Sequence, residues 1–399
     1  VGAFLMDAQN RTGTRYLMAT ACAGLFTFGV MTSFLGATLP ELSTRLNFDL
    51  GRGGALFSFL YFPQIPMVFL AGPLIDRFGK KPILAGGFLL CAAALLGIAY
   101  APSYAVLGAL LVALGLGGSS AMSASNTLIP DLYPENPSSA LNLGGVFFGV
   151  GAIFFPWLVA LMTARLGLVI TLWLITLLVA GVAVVALMQR FPPASAGGGF
   201  DWHEARRLAL NPAVIILAFV LFFYSAVEIS TAGWTRTFLQ QDLLATPQTS
   251  KAILTIFWVA MMVGRLAASQ VVKFVRGPNL LLGAAMGAVG GLLVVAMAHS
   301  VVVATVGIVI CGLTYAPIFP TTAGTASTYS PKLFATVFGI LIAVGLSAGV
   351  ILPPAIGYVA KIATVRAGIS LVAAFAVLLT AVQAIFLVYE RRRLLKSAS

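Results

Sequence analysis

Twelve apolar stretches follow one another along this 399-residue chain, each close to the length that crosses a bilayer. They run at approximately 16–40, 53–75, 82–101, 103–128, 139–163, 167–189, 211–238, 251–272, 279–298, 301–324, 333–360 and 367–389, with charged or turn-forming residues between them. A helical span needs about 20 apolar residues, and a backbone in hydrocarbon must satisfy its own hydrogen bonds, which a helix does within one segment. Composition closes the alternative. With 60% hydrophobic residues, 9% charged residues and a mean hydropathy of +1.03, too little polar surface exists to cover a water-soluble domain of this size. The expected fold class is an all-α membrane protein with twelve transmembrane helices.

The basic residues set an orientation. With both termini cytoplasmic, Arg11, Arg15, Arg77, Lys80, Lys81, Arg190, Arg206, Arg207, Lys273, Arg276, Lys332, Arg391, Arg392, Arg393 and Lys396 fall on the inner side, and the outer loops keep only Arg45, Arg52, Arg165, Lys251, Lys361 and Arg366. This asymmetry supplies most of the +12 formal charge, so membrane lipids are the expected partner of the basic surface and nucleic acid is not. The first apolar run is long and leads straight into further spans, so it is expected to be a retained anchor and not a signal peptide. Cys22, Cys91 and Cys311 each sit inside an apolar stretch, a pattern of small core residues and not of disulfides or a thiolate metal site.

The most polar long connection is QRFPPASAGGGFDWHEARRLAL at 189–210. It divides the chain into an N-terminal six-helix bundle at 1–189, a cytoplasmic linker at 190–210 and a C-terminal six-helix bundle with a basic tail at 211–399. Two such bundles flanking a cleft suit parallel repeats about the membrane normal.

Between spans two and three the chain reads GPLIDRFGKKP from Gly72 to Pro82. Gly72 suits close helix approach and Gly79 a tight turn. Asp76 is placed to cap a helix end or pair with Arg77 or another base, and Lys80 and Lys81 to hold the loop at anionic headgroups. This loop matches every fixed position of the G-x-x-x-D-R-x-G-R/K-R/K signature, and on it the chain resembles the major facilitator superfamily, whose fold the twelve spans would then adopt. The resemblance implies that Gly72, Asp76, Arg77, Gly79, Lys80 and Lys81 stabilise one conformational state from the cytoplasmic side. The corresponding stretch of the second half, GRLAASQVVKFVRG at 264–277, keeps Gly264 and Arg265 but lacks the acid. Arg265, near the inner end of its span, reads as a gate residue that snorkels to the headgroups.

Further passages, ALNLGGVFFGVGAIFFP at 140–156, EISTAGW at 228–234, GLTYAPIFPT at 312–321 and FGILIAVGLSAGVILPPAIG at 338–357, are similar to the fucose–galactose–glucose permease branch of that superfamily. Sugar permeases of the branch can use a carboxylate on the first or fourth span for proton coupling. Here GLFTFGVMTSFLGATLP and ALGLGGSSAMSASNTLIP lack one, so that role does not transfer to Glu228 by resemblance.

Glu228 is nevertheless the outstanding polar residue, a carboxylate inside FVLFFYSAVEISTAGW at 219–234. An intramembrane charge is costly and points by default to a protein-lined functional cavity. Counted from Asn211 it lies roughly 25 Å along a helix, which places it toward the outer end of the hydrocarbon. Two roles stay open: a titratable or hydroxyl-binding group, or a structural acid paired with Arg236 or satisfied by another helix. The estimated depths argue against pairing with Arg265. Gln64, Asn126 and Asn142 offer donors and acceptors for a hydroxyl-rich solute, with interhelical hydrogen bonding as the competing role. Trp234, Trp258 and Tyr315 are the candidate flat surfaces for a sugar ring, against plain packing or an interfacial belt. FPQIP at 62–66 and VILPPAIG at 350–357 are expected to interrupt spans two and eleven.

The chain lacks a GxxxxGK[ST] phosphate loop, and His203 and His299 fall in unrelated places, so ATP-driven transport, a metal site and enzymatic activity are not expected. The expected function is secondary active transport of a small neutral sugar or polyol by alternating access, coupled to H+ or Na+ and needing no cofactor, by a monomer in a bacterial inner membrane. Sugar uniport, transport of hydrophobic or weakly basic compounds, and a nontransporting receptor or scaffold stay open as alternatives.

Overall fold

A computed structural model of the protein describes residues 2–133, 137–192, 207, 210–272, 274–329 and 334–398. Most of the 190–210 connection therefore lies outside the described residues. The described chain forms α1 (Gly2–Leu46), α2 (Leu50–Tyr61), α3 (Gln64–Phe78), α4 (Lys80–Ala99), α5 (Tyr104–Leu132), α6 (Pro137–Met188), α7 (Pro212–Gln241), α8 (Pro247–Val271), α9 (Gly277–Ala296), α10 (Val301–Tyr315), α11 (Ile318–Tyr329), α12 (Phe334–Ile362) and α13 (Val365–Ala398). Twelve stretches are long and apolar enough to cross a membrane, in agreement with the sequence. Helix count and span count differ because α2 with α3 and α10 with α11 each form one broken span, whereas α6 holds two spans joined at Gly167, whose φ of 77° only glycine adopts readily.

The helices start where the sequence provides caps. Asp49, Ser103, Asn211, Thr246 and Ser300 precede α2, α5, α7, α8 and α10, and each side chain accepts a backbone N–H of the first turn. Asp49 also accepts from Lys361 Nζ at 2.8 Å, and that hydrogen bond holds its carboxyl below the usual carboxylate range. Both side chains are well exposed, so this pair stabilises little.

The described chain clusters into two compact units that differ from the two sequence halves. The first comprises 1–34 and 66–199, the second 35–65 and 200–399. The end of the first span and the start of the second thus belong with the C-terminal helices.

Within the first unit α4 packs on α5 and α6, and α1 meets α6 through glycine. A Cβ at Gly151 would stand 2.1 Å from the Phe26 carbonyl oxygen, and one at Gly29 would stand 2.1 Å from that of Phe148. Neither backbone has room to give. Gly151→Ala is therefore expected to destabilise by about 1–3 kcal/mol through overpacking. Gly145→Ala, on the same helix with nothing within 4 Å, is expected to be neutral or to gain up to about 1 kcal/mol of helix propensity. Thermal unfolding of the two variants in detergent checks the contrast.

In the second unit α12 lies against α2, α7 and α13, and α9 lies against α10 and α13. The α2 and α12 backbones touch at Gly54 and Gly357, where a Cβ on Gly357 would meet the Leu50 carbonyl at 2.5 Å. This contact corrects one expectation. Pro353 and Pro354 do not interrupt the eleventh span, for α12 runs through both. Pro354 deprives the Val350 carbonyl of its helical donor, and Ser58 Oγ donates to that carbonyl at 2.8 Å instead. The expected interruption at 62–66 is present between α2 and α3, and a second one that sequence reading missed separates α10 from α11 at Ala316 and Pro317.

Candidate functional site

Two groups of charged and polar side chains stand out in the second unit. In the first, Glu41 of α1 receives Arg236 of α7 through both guanidinium ends, Nη1 to Oε2 at 2.9 Å and Nη2 to Oε1 at 2.8 Å. Lys251 Nζ of α8 adds a third contact to Oε1 at 3.1 Å. Arg236 is 1% exposed, Lys251 5% and Glu41 24%. One carboxylate thus serves two cations away from bulk water, an arrangement in which each charge depends on the others.

The sequence reading missed this cluster because it ended the first span at Pro40. The helix passes through that proline and carries Glu41 within the span Gly13–Leu46. The available signal was an acid immediately after an apolar run that an internal proline need not end. With Arg236 engaged by Glu41, the alternative that paired it with Glu228 drops out. Lys251, expected in an outer loop, lies in α8.

The second group centres on Glu228. Since α7 continues to Gln241, Glu228 is roughly 24 Å from its start and 20 Å from its end, near the middle of the helix and not toward its outer end. Tyr224 and Thr231, one turn before and one turn after, share its face. The α7 and α8 helices join through a short turn at 242–246, so depth is best counted from that common end. On this count Tyr224 stands at about 26 Å and Arg265 at about 27 Å, level with each other and one turn beyond Glu228. Arg265 is thereby near enough for its charge to be felt at both Tyr224 and Glu228. Counted from this common end the acid and the arginine differ in depth by about one turn, less than the far ends of the helices suggest. Arg265 also contacts Met261 Sδ, one turn earlier on its own helix, at 3.9 Å.

Two further tyrosines complete this cluster. Tyr61 ends α2 and Tyr315 ends α10, each at a Tyr-x-Pro-x-x-Pro break, and each lies within electrostatic reach of Glu228. Tyr315 is fully buried and shares a 3.1 Å hydrogen bond with Thr231 Oγ1. Its ring meets Phe257 edge-on at 6.0 Å, and Phe257 meets Trp258 likewise at 5.2 Å. Glu228 and Arg265 retain partial exposure, whereas Tyr61, Tyr224, Trp258 and Tyr315 are buried. Tyr61 Oη, Tyr224 Oη and Trp258 Nε1 have no hydrogen-bond partner among the described residues. The arrangement sets a partly exposed carboxyl and a partly exposed guanidinium among buried aromatic groups, some with unpartnered donors.

The other expected site residues are placed as follows. Gln64 is buried, and its Nε2 donates to the Leu60 carbonyl at 2.9 Å across the α2–α3 break; its Oε1 has no donor among the described residues. Trp234 is wholly buried and stacks on Phe57 at 6.5 Å, and its Nε1, like that of Trp258, has no hydrogen-bond partner among the described residues. Asn126 is half-buried on α5 of the first unit. The side chains of Asn142 and Asp76 lie outside the described residues. Gly79 forms the α3–α4 turn with φ of 83°, whereas Gly72 has nothing within 4 Å and so makes no close helix approach. Lys80 is buried and pairs with Asp131 of α5, Lys81 donates to the Gln189 carbonyl at 2.9 Å at the end of α6, and Arg77 is exposed with its guanidinium over the Phe78 ring. Lys80 and Lys81 thus join helix ends of the first unit, where headgroup contacts were expected. Gly264 packs against α10, where a Cβ would stand 2.7 Å from the Leu313 carbonyl. No group of three or more His, Cys, Asp or Glu side chains able to hold a metal occurs among the described residues.

Residues 21–353 match the model of the Major Facilitator Superfamily. A TsgA homolog from Buchnera aphidicola subsp. Schizaphis graminum is 24% identical over 247 residues, which are 62% of this chain and 63% of that protein. The curated relative is therefore matched over less than two thirds of its length. Among solved structures, a point mutant of the nucleoside transporter NupG superposes with a TM-score of 0.79 at 16% identity, covering 93% of this chain and 99% of its own. A point mutant of the E. coli fucose:proton symporter FucP superposes with a TM-score of 0.66 at 18% identity, covering 92% and 98%. At such identities the superpositions speak for the fold.

Proposed function

The chain belongs to the Major Facilitator Superfamily, and from that premise we propose that it carries a small hydroxyl-bearing solute of the sugar or polyol class by alternating access, with Glu228 as the group that exchanges a proton. It is a multi-pass integral membrane protein and a transporter, not an enzyme. The observation that carries the finer reading is the Glu228 cluster: a mid-span carboxylate that is partly accessible, ringed by Tyr61, Tyr224 and Tyr315. Hydroxyl-rich solutes exchange hydrogen bonds with carboxylates, phenols and guanidinium groups and lay apolar ring faces on aromatic walls. The likeness to a nucleoside transporter and a fucose:proton symporter is in keeping with a solute of this kind.

Arg265 weighs against the alternative of a weakly basic compound, since a cationic solute would meet a fixed cation beside the acid. A proton suits Glu228 better than Na+ for the same reason. The basic residues support an inner-membrane location with cytoplasmic termini. The protein is expected to work as a monomer, with membrane lipid around it and a small molecule as its partner. The test is uptake of labelled monosaccharides, polyols and nucleosides, with lipophilic amines as competitors, into proteoliposomes under imposed pH or sodium gradients. Saturable uptake driven by the pH gradient is expected. Flux of none of these in correctly inserted protein, or flux inhibited by amines alone, refutes the reading.

A further inference from the structure

Resting on that transport reading, we propose that residues 35–65 form an outer strap over the Glu228 site, latched by Glu41, which must lift from the C-terminal helices before a solute can pass on that side. The strap comprises the end of α1, the connection and α2. It clusters with the C-terminal helices, although the chain on either side of it clusters with the N-terminal ones. Its latch is the Glu41 carboxylate, held on Arg236 at 2.8 and 2.9 Å and on Lys251 at 3.1 Å. Arg236 lies about 12 Å along α7 from Glu228, toward the end that α7 shares with α8. With cytoplasmic termini that end is the outer one, so along α7 a solute arriving from outside meets the latch before the site.

The contacts of the strap are of a kind that can part. Its α1 portion touches α7 through glycine, for a Cβ on Gly36 would stand 2.3 Å from the Ala232 carbonyl oxygen. Its α2 portion touches α12 at Gly54 and Gly357, with Asp49 on Lys361 at the rim and the Ser58 hydroxyl on the Val350 carbonyl. Glycine contacts bring backbones together without interlocking side chains, and ion pairs and hydrogen bonds exchange readily for water. The docked strap also leaves polar atoms stranded. Trp234 stacks on Phe57 of the strap and Arg236 is bound by its Glu41, yet Trp234 Nε1 and Arg236 Nε are buried with no hydrogen-bond partner among the described residues. In a permanent interface such groups are a standing cost. A strap that lifts hydrates them in one half of the cycle, so the docked state is held by its latch and not by complete burial.

The strap also supplies a wall of the site. Tyr61 ends α2 within it, lies within electrostatic reach of Glu228 and rests its ring on α12, where a Cβ at Gly349 would stand 2.7 Å away. Lifting the strap withdraws this phenol from the carboxyl as it opens the way in, and latching returns it. Both ends of the strap fall at weak points of their helices. Pro40 leaves the Gly36 carbonyl of α1 without its helical donor, and α2 is broken from α3 at Phe62 and Pro63. Bends confined to these two places move residues 35–65 as one piece.

The experiment combines Asp49→Cys with Lys361→Cys, an exposed pair across the edge of the strap, in the full chain in proteoliposomes; the native cysteines are buried. Bridging the pair with a reducible bis-methanethiosulfonate is expected to cut uptake of labelled D-glucose, D-mannitol or uridine, whichever the wild type carries, by about 10-fold or more. Reduction should restore it, and neither single cysteine should respond. Spin labels on the same pair give a reading that needs no solute. Strong dipolar coupling is expected from the docked strap, together with a weakly coupled population that grows several-fold in Glu41→Gln. Labels on Gln248→Cys with Met297→Cys, exposed positions outside the strap, should keep their distance in both backgrounds, which separates lifting from unfolding. Undiminished uptake by the bridged protein overturns the strap and leaves the transport reading standing. One short distance in wild type and Glu41→Gln alike overturns it too, as does a change shared by both label pairs. If the wild type carries none of the three solutes the transport reading fails, and the spin labels alone decide for or against the strap.

Discussion

Replacing Glu41 by glutamine is expected to cost about 3–5 kcal/mol of stability, the range for breaking a buried ion pair from one side. The carboxylate is the shared counter-charge of Arg236 and Lys251, both almost completely buried. Glutamine keeps the shape but leaves two neighbouring cations that repel each other in a low-dielectric setting. Removing a cation along with the acid should recover part of the loss, so Glu41→Gln with Lys251→Met is expected to be more stable than Glu41→Gln alone. Asp49→Asn serves as the contrast. Asparagine caps a helix as well as aspartate does, and the exposed pair with Lys361 is worth at most about 1 kcal/mol. Unfolding midpoints in detergent measure all three, and a Glu41→Gln midpoint equal to that of Asp49→Asn would show that water already screens the cluster.

The second large effect is expected at Glu228. In Glu228→Gln, solute exchange across the membrane should persist while accumulation driven by a pH gradient disappears. Each pH unit is worth about 1.4 kcal/mol, a factor of ten, so a two-unit gradient supports up to about 100-fold accumulation with one proton per solute. The variant should only equilibrate. Counterflow with equal solute on both sides separates this from simple misfolding, because a protein that still exchanges is folded. Undiminished accumulation by Glu228→Gln would move the proton to another group, and Glu41 would be the next to test.

The architecture was largely legible because hydrocarbon imposes one requirement on every span, and the sequence meets it twelve times. The site was legible only in parts. Glu228 declared itself by its apolar neighbours, but its depth and surroundings did not, because both depend on where α7 and α8 end and which end they share. Glu41 was hidden by a proline that usually signals the end of a helix and here does not. Trp234 and Gln64 have the chemistry of ligand-binding residues, yet one stacks on Phe57 and the other bridges a helix break. Residue type limits what a side chain can do, but the direction in which it faces is a tertiary property that periodicity does not reveal when a helix is apolar all round.

The hydroxyl of Ser58 on the Val350 carbonyl gives α12 a conditional mechanical character. A double proline ordinarily makes a joint. Here the joint is splinted, since a neighbouring helix returns the hydrogen bond that the ring removed, and the Gly54–Gly357 contact brings the two backbones together for it. The splint lasts only while α2 stays in place. If α2 slides or lifts away, Val350 loses its donor and α12 becomes free to bend at Pro353–Pro354, so the stiffness of the eleventh span is set by the position of the second.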